Sequence, residues 1–390
     1  MSIDVARARA DTPGCEHQIH FNNAGAALSP EPVLDTVIAH LNREAEIGGY
    51  EAADEANARL EQFYAAAARL VGGNPREIAY IENATRAWDM AFYAIDWQPG
   101  DQIVTARAEY ASNYIAYLHM ARKRGVEILT VPNDEHGQIS VDALEQRITG
   151  RTRLIAITHI PTNGGLVNPA AAVGKVAKAH NILYLLDACQ AVGHIPVDVE
   201  AIGCDMLSAT GRKYLRGPRG TGFLWVREAL IESLDPPLLD LHAAKLTGPD
   251  SYEVRGDARR FENWESFVAG RLGLAAAIDY ALDLGMEAIR DRIYRLAERL
   301  RGGLDSVPGA TVRDLGQEKC GIVSFTVDGH EPAAIKETLE AQRINVSASR
   351  RPSTLLDMTE RGLDSVVRAS VHYYNSEDEV DRLIDAVKSL

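Results

Sequence analysis

The stretch RLIAITHIPTNGGLVNPAAAVGKVAKAHNILYLLDACQ, Arg153 to Gln190, decides the fold class. It holds two near-continuous apolar runs, Arg153–Ile160 and Ile182–Ala188, separated by a helical Ala170–His180. A strand that is apolar on both alternating faces is buried on both. Two such strands joined by a helix imply a largely parallel sheet covered by helices. The same alternation extends outward, from about Ile78 to Val226. Asp101–Ala106 and Val126–Val131 read as strands, Ser112–Arg124 and Val141–Ile148 as helices, and Met206–Ala209 as a further apolar run. After Phe261 the character changes. Long helical stretches (Gly270–Leu284, Met286–Leu300) precede a short strand, Gly321–Val327, and a closing helix, Glu377–Leu390. The segment Asp240–Asp257 reads as a loop. Pro32–Ile47 reads as a helix that packs on the sheet or on a partner subunit. The expected class is α/β, with a large sheet domain and a smaller α+β C-terminal domain.

Composition agrees and narrows the function. The chain has 390 residues, with 46% hydrophobic and 25% charged, which are globular averages. That length suits one large domain plus a smaller one. No apolar run approaches the ~20 residues that span a bilayer, so no membrane partner is expected. Met1 to Asp11 mixes Arg and Asp without an apolar core, unlike a secretory signal. Lys and Arg number 41 against 55 Asp and Glu, a net charge of −14. That balance argues against a nucleic-acid partner, which needs a basic footprint. The four cysteines, Cys15, Cys189, Cys204 and Cys320, show no CxxC spacing and no Cys/His cluster. No disulfide framework or zinc site is expected, and a reducing, cytoplasmic setting is.

Ligands of such sheets bind beyond the carboxyl ends of the strands, so polar residues there are the candidates. Glu82-Asn83-Ala84-Thr85-Arg86 follows the strand-like Ile78–Ile81 and opens a helix. Free N–H groups and a hydroxyl make it a phosphate seat, or Thr85 is a routine cap. Asp187 closes the second apolar run and needs a cationic or proton-donating partner. Thr210-Gly211-Arg212-Lys213 follows the run Met206–Ala209, as a functional site or as an exposed basic turn. Arg368 stands inside the apolar VVRAS, and its fork suits a substrate carboxylate or an internal acid. Together these supply a phosphate seat, a buried acid, a lysine and a carboxylate-binding arginine. That set is what pyridoxal 5'-phosphate (PLP) chemistry requires.

On these residues the sequence resembles the fold type I PLP-dependent enzymes of the class V aminotransferase and cysteine desulfurase superfamily, from His20 to the C-terminus. The resemblance implies a mostly parallel seven-stranded sheet sandwiched by helices. It implies a large PLP-binding domain over 16–258 and a small domain from 1–15 and 259–390. HFNNAGAALSP, from His20, resembles the substrate-facing loop, which implies Asn23 and Ala24 near the substrate. ENATRA resembles the phosphate loop, with Ala84, Thr85 and Arg86 at the phosphate. AEYASN implies that Tyr110 stacks on the ring, orients it or protonates a leaving group. PTNGG implies Asn163 at cofactor or substrate. DACQAVGHIPVDV implies Asp187 at the pyridine nitrogen and Gln190 at the ring oxygen. SATGRKYLRGPRGTGFL implies Lys213 as the Schiff-base lysine, with Thr210 and Arg212 at the phosphate. VRASVHYYN implies Arg368 at the substrate carboxylate.

Two departures bear on the reaction. Desulfurases of this superfamily carry a nucleophilic Cys on a loop shortly before the carboxylate-binding Arg. Here Ser347-Ala348-Ser349-Arg350-Arg351-Pro352-Ser353-Thr354 stands there, and no Cys lies between Ser347 and Arg368. Relatives often place a Thr in FENWES, from Phe261, that reaches the partner's phosphate; here Trp264-Glu265-Ser266 stand there. REAEIGGYEAADEA, from Arg43, is similar to the lyases that act late in ergothioneine synthesis, which cleave a cysteine-sulfoxide C–S bond. The expected activity is therefore a PLP-dependent lyase that cleaves the C–S bond of a small amino-acid substrate, a cysteine conjugate or its sulfoxide, giving pyruvate and ammonia, with catalytic Lys213, Asp187 and Tyr110. A class V aminotransferase and an isopenicillin N-type epimerase are the alternatives. Arg350 and Arg351 either recognise an acidic or sulfoxide group or lie solvated. A homodimer with shared active sites is expected, and no metal.

Overall fold

Seven strands form the central sheet of the computed structural model, which describes residues 3–390. Met1 and Ser2, the start of the N-terminal segment read above, lie outside the described residues. The strands are β1 (Ile78–Ile81), β2 (Gln102–Thr105), β3 (Glu127–Thr130), β4 (Thr152–Thr158), β5 (Leu183–Asp187), β6 (Met206–Thr210) and β7 (Gly222–Val226). Their order across the sheet is β1-β7-β6-β5-β4-β2-β3. From β6 to β3 every pairing is parallel. β7 alone runs against its neighbours β1 and β6.

The apolar runs explain this sheet. Ile155 and Ile157 of β4 enter one core cluster, while Leu154 and Ala156 enter another on the opposite face. Such two-sided burial requires a helical layer on each face. Helices α1 (Glu31–Ile47), α2 (Ala84–Phe92), α3 (Ala111–Arg124) and α4 (Ala170–Ala179) precede the C-terminal α5 (Val268–Leu284), α6 (Met286–Asp305) and α7 (Glu377–Lys388). β3, at the edge, is the one strand of the seven with no fully buried residue.

A second, antiparallel sheet has the order β8-β9-β11-β10, from Ala310–Val312, Ile322–Val327, Ser347–Arg350 and Ser365–Ser370 in chain order. The short strand Ile19–His20 pairs with Ile344–Asn345, and Asn22 bridges to Ser370. The N-terminal loop is thereby tied to the strand that carries Arg368. The segment expected to be a loop, Asp240–Asp257, instead contains an antiparallel hairpin, Ala244–Gly248 with Ser251–Val254. Among the described residues no helix is long and apolar enough to cross a membrane.

Candidate active site

Parallel strands bring their carboxyl ends to one edge, and the polar residues that end them meet there. Thr158 ends β4 in register with Asp187, which ends β5. Thr210 ends β6, and Lys213 follows three residues later. A cavity of ≈ 140 Å³ opens above them, lined by Thr158, Asp187, Thr210 and Lys213 and closed by Ala84 and Tyr110. Gln190, Thr85 and Arg212 also line it.

Asp187 is buried, and no cation lies within salt-bridge range of it among the described residues. Its Oδ1 accepts the Cys189 N–H at 2.9 Å and its Oδ2 accepts Asn113 Nδ2 at 2.9 Å. Burial raises its pKa, Asn113 and the Cys189 N–H oppose the rise, and Lys213 opposes it too. An acid so placed favours a partner that brings a proton. Gln190 Nε2 donates to Ala24 O at 3.1 Å, which leaves its buried Oε1 without a partner.

The start of α2, expected to seat a phosphate, reaches the cavity through Ala84 and Thr85. Asn83 caps it, accepting the Arg86 N–H at 3.0 Å. The N–H groups of Ala84 and Thr85 stand in the first turn, where intrahelical acceptors are lacking. Gly222 lets this turn approach the lysine strand. A Cβ there would lie 2.5 Å from Ala209 O and 3.3 Å from the Asn83 backbone. Arg212 donates to Gly25 O and lines the cavity. Arg86 does not line it; its guanidinium turns back along the helix toward Met90 Sδ, 3.9 Å away. The lysine loop is pinned from below by Arg216, a non-glycine residue at φ +61°. Its buried guanidinium donates to Leu28 O at 2.8 Å and to Tyr373 OH at 2.7 Å.

Among the described residues, Arg368 is buried without a carboxylate partner. It donates to Thr162 Oγ1 at 2.6 Å and Asn22 Oδ1 at 3.2 Å, and its Nε has no partner. Burial lowers its pKa to about 10. Asn23, unlike Asn22, is consumed by the framework: it donates to Ser370 O at 2.7 Å and to His20 O at 3.1 Å, and it accepts from Tyr374. The Ala24 N–H is held by Ser370 Oγ at 2.9 Å. Asn163 donates to Thr354 Oγ1 at 3.0 Å, and its buried Oδ1 is free. Arg351 pairs with Asp364 and donates to Leu363 O at 2.9 Å, so it is a structural tie. Arg350 projects from the sheet face opposite Arg368, because residues paired across β10 and β11 share a face and Arg368 pairs with Ser347. Trp264 and Glu265 are exposed.

A buried acid, a lysine and a helix start around one cavity, with a buried arginine held by the cavity-lining Thr162, are the donor set that PLP needs. The aminotransferase class-V family model matches residues 19–383. The chain belongs to that family. It is a PLP-dependent class V enzyme of fold type I. Among curated relatives, a probable cysteine desulfurase of Pyrococcus abyssi is 28% identical over 389 residues, covering 98% of this chain and 96% of the relative. Another, of Halobacterium salinarum, is 29% identical over 400 residues, covering 99% and 96%. Among solved structures, the apo cysteine desulfurase of Thermococcus onnurineus NA1 superposes with a TM-score of 0.93 at 26% identity, covering 100% of this chain and 98% of that one.

The class V site contains residues that sequence reasoning passed over. Thr162 and Asn22 hold Arg368, Thr158 sits beside Asp187, and Glu109 and Asn113 lie beneath Tyr110. Two signals were readable. Thr158 is the last residue of an apolar strand, and Glu109 and Asn113 are four apart at a helix start, one turn from each other.

Proposed function

We propose that this class V enzyme is a C–S lyase that eliminates the sulfur substituent of a cysteine conjugate or its sulfoxide, in the manner of hercynylcysteine sulfoxide lyase. The net reaction is R–S–CH2–CH(NH3+)–COO− plus water giving R–SH, pyruvate and ammonium. With a sulfoxide the leaving group is the sulfenic acid R–SOH. The observation that supports this most is the segment before Arg368. Where desulfurases carry their nucleophilic Cys, this chain has Ser347–Arg350 paired strand to strand with Ser365–Arg368. The four thiols present are all held protonated by burial. Cys15 is pushed up to about 11 and Cys320 to about 12, and Cys189 and Cys204 are raised as well.

When bound, PLP supplies an aldehyde for the substrate amine and a ring that takes up the electron pair left at Cα. Ala84, Thr85, Thr210 and Arg212 would hold its phosphate, Lys213 its aldehyde, Asp187 its ring nitrogen, Gln190 its ring oxygen, and Tyr110 its face. Arg368 binds the substrate carboxylate through its fork, assisted by Asn163. Lys213 Nζ takes the Cα proton. Asp187 keeps a proton on the ring nitrogen. Sulfur leaves with its bonding pair, and Tyr110 OH returns a proton to it. The substrate is a small amino acid, and the functional unit is a homodimer that joins two sites. Exposed Tyr50, Trp264, Leu246 and Tyr252 supply its apolar contact.

The test is a screen of S-substituted cysteines and their sulfoxides, following pyruvate and released sulfur species separately. Pyruvate without any added keto acid is expected. A requirement for a keto-acid acceptor would identify an aminotransferase instead. Cα deuterium exchange with intact substrate would identify an epimerase.

A further inference from the structure

Beneath the cavity a second buried carboxyl faces Asp187 across a single amide. Glu109 is 3% exposed. Asn113 Nδ2 donates to Glu109 Oε1 at 3.0 Å and to Asp187 Oδ2 at 2.9 Å. One NH2 group therefore ties both acids. Glu109 also accepts the Tyr110 N–H at 2.8 Å, Thr105 Oγ1 at 3.0 Å and the Thr158 hydroxyl. These donors come from β2, β4 and α3, so the carboxyl is fixed from three elements. We propose that Glu109 is a positioning residue that acts through Asn113 to orient Asp187 and to set the charge that Asp187 presents to the cofactor's ring nitrogen. The inference rests on the PLP reading of the site.

A capping role alone would need only the Tyr110 N–H. It leaves unexplained why a buried acid is tied to a second acid. Like charges so close resist double ionisation, so the pair favours holding a proton. Burial pushes Glu109 up to about 7, against the Thr158 and Asn113 hydrogen bonds, and Asp187 adds to the rise. The other titratable groups facing it are Asp187 and Tyr184 of β5 and Tyr117 of α3. Lys213 also opposes the rise at Asp187.

Two readouts test the proposal. In the cofactor-loaded protein, the visible band of bound PLP is titrated with pH. Glu109→Gln removes an anion and moves the midpoint to lower pH, by roughly half a pH unit or more. In an Asn113→Ala background that displacement shrinks by more than half. An unchanged midpoint in Glu109→Gln, or an equal displacement with and without Asn113, overturns the proposal. In the cofactor-free protein, the infrared carboxyl stretch of Glu109 is titrated. It disappears in Glu109→Gln, and its midpoint moves in Asn113→Ala. A midpoint indifferent to Asn113 overturns the proposal. If the wild-type protein forms no visible band, the PLP reading fails, and the infrared arm still decides whether the two acids are coupled. Thr105→Val, which removes one donor from Glu109 Oε2, gives the same direction of change on a milder scale should Glu109→Gln not fold.

Discussion

Arg368 carries its charge at a cost, and that cost separates binding from folding. Its guanidinium is buried with hydroxyl, amide and carbonyl partners and no anion. A charge buried without a counter-ion destabilises the free protein, and a substrate carboxylate relieves it. Arg368→Ala is expected to leave the melting temperature unchanged or higher while kcat/KM falls about 100-fold, the loss of roughly 3 kcal/mol of charge-assisted bonding. A melting temperature that drops together with activity would sink the reading. Glu109 behaves in the opposite sense to a salt-bridged acid. Its folded value, about 7, lies above its ordinary 4.5. The folded state therefore binds more proton than the unfolded one between those values, and stability falls as pH rises through that interval. The loss is about 3 kcal/mol for this group. Glu109→Gln should flatten that part of the stability profile in denaturant titrations across pH. Equal slopes in the two proteins would refute this account. At this scale the sequence made residues legible when they ended an apolar strand, as Asp187 does. It hid those whose role depends on a contact distant in sequence, as Asn22 does with Arg368.

The element on which the proposed site depends most is the start of α2, because it is where the proposed phosphate seat lies. Its approach to β6 and β7 depends on Gly222, which pairs with Ile81 on one side and Thr210 on the other. Gly222→Ala places a methyl group against backbone atoms on both sides, and neither can yield alone. Overpacking of this kind costs about 1–3 kcal/mol. Displacing the turn should also weaken PLP binding about tenfold or more, measured by cofactor titration of the cofactor-free protein. Affinity retained alongside lost stability would mean that α2 does not carry the phosphate. The strands read from the sequence were legible because each is apolar on both faces; Gly222–Val226 was not read as a strand. The hairpin Ala244–Gly248 with Ser251–Val254 was not legible, for the opposite reason. Leu246 and Tyr252 are 79% and 61% exposed, so no buried face imposes an alternation on the sequence. Its turn residues, Gly248-Pro249-Asp250, read as loop punctuation, which is also what ends a strand.

At the scale of the whole molecule, the large apolar side chains left exposed among the described residues include Leu246 and Tyr252 of that hairpin, Tyr50, Leu241, Ile115 of α3, and Trp264, which is 52% exposed. The Trp264 backbone N–H donates to Asp240 Oδ2 at 2.7 Å. Side chains of this size left in water cost free energy that a second copy would recover. The proposed homodimer would cover them, and among the described residues no helix or loop covers the hairpin within the single chain. Replacing Leu246 and Tyr252 by Asp should therefore dissociate the dimer with little change in the unfolding of the single chain, because neither side chain packs internally. Charge gives this prediction a second, independent arm. Each copy carries −14, so two copies repel at long range. Salt shortens that repulsion to a Debye length of about 8 Å at physiological ionic strength and leaves apolar contact intact. Sedimentation velocity should find the dimer tighter at physiological than at low salt, in the wild-type protein. An association that weakens as salt is added would place charge pairs, not these apolar side chains, at the centre of the interface.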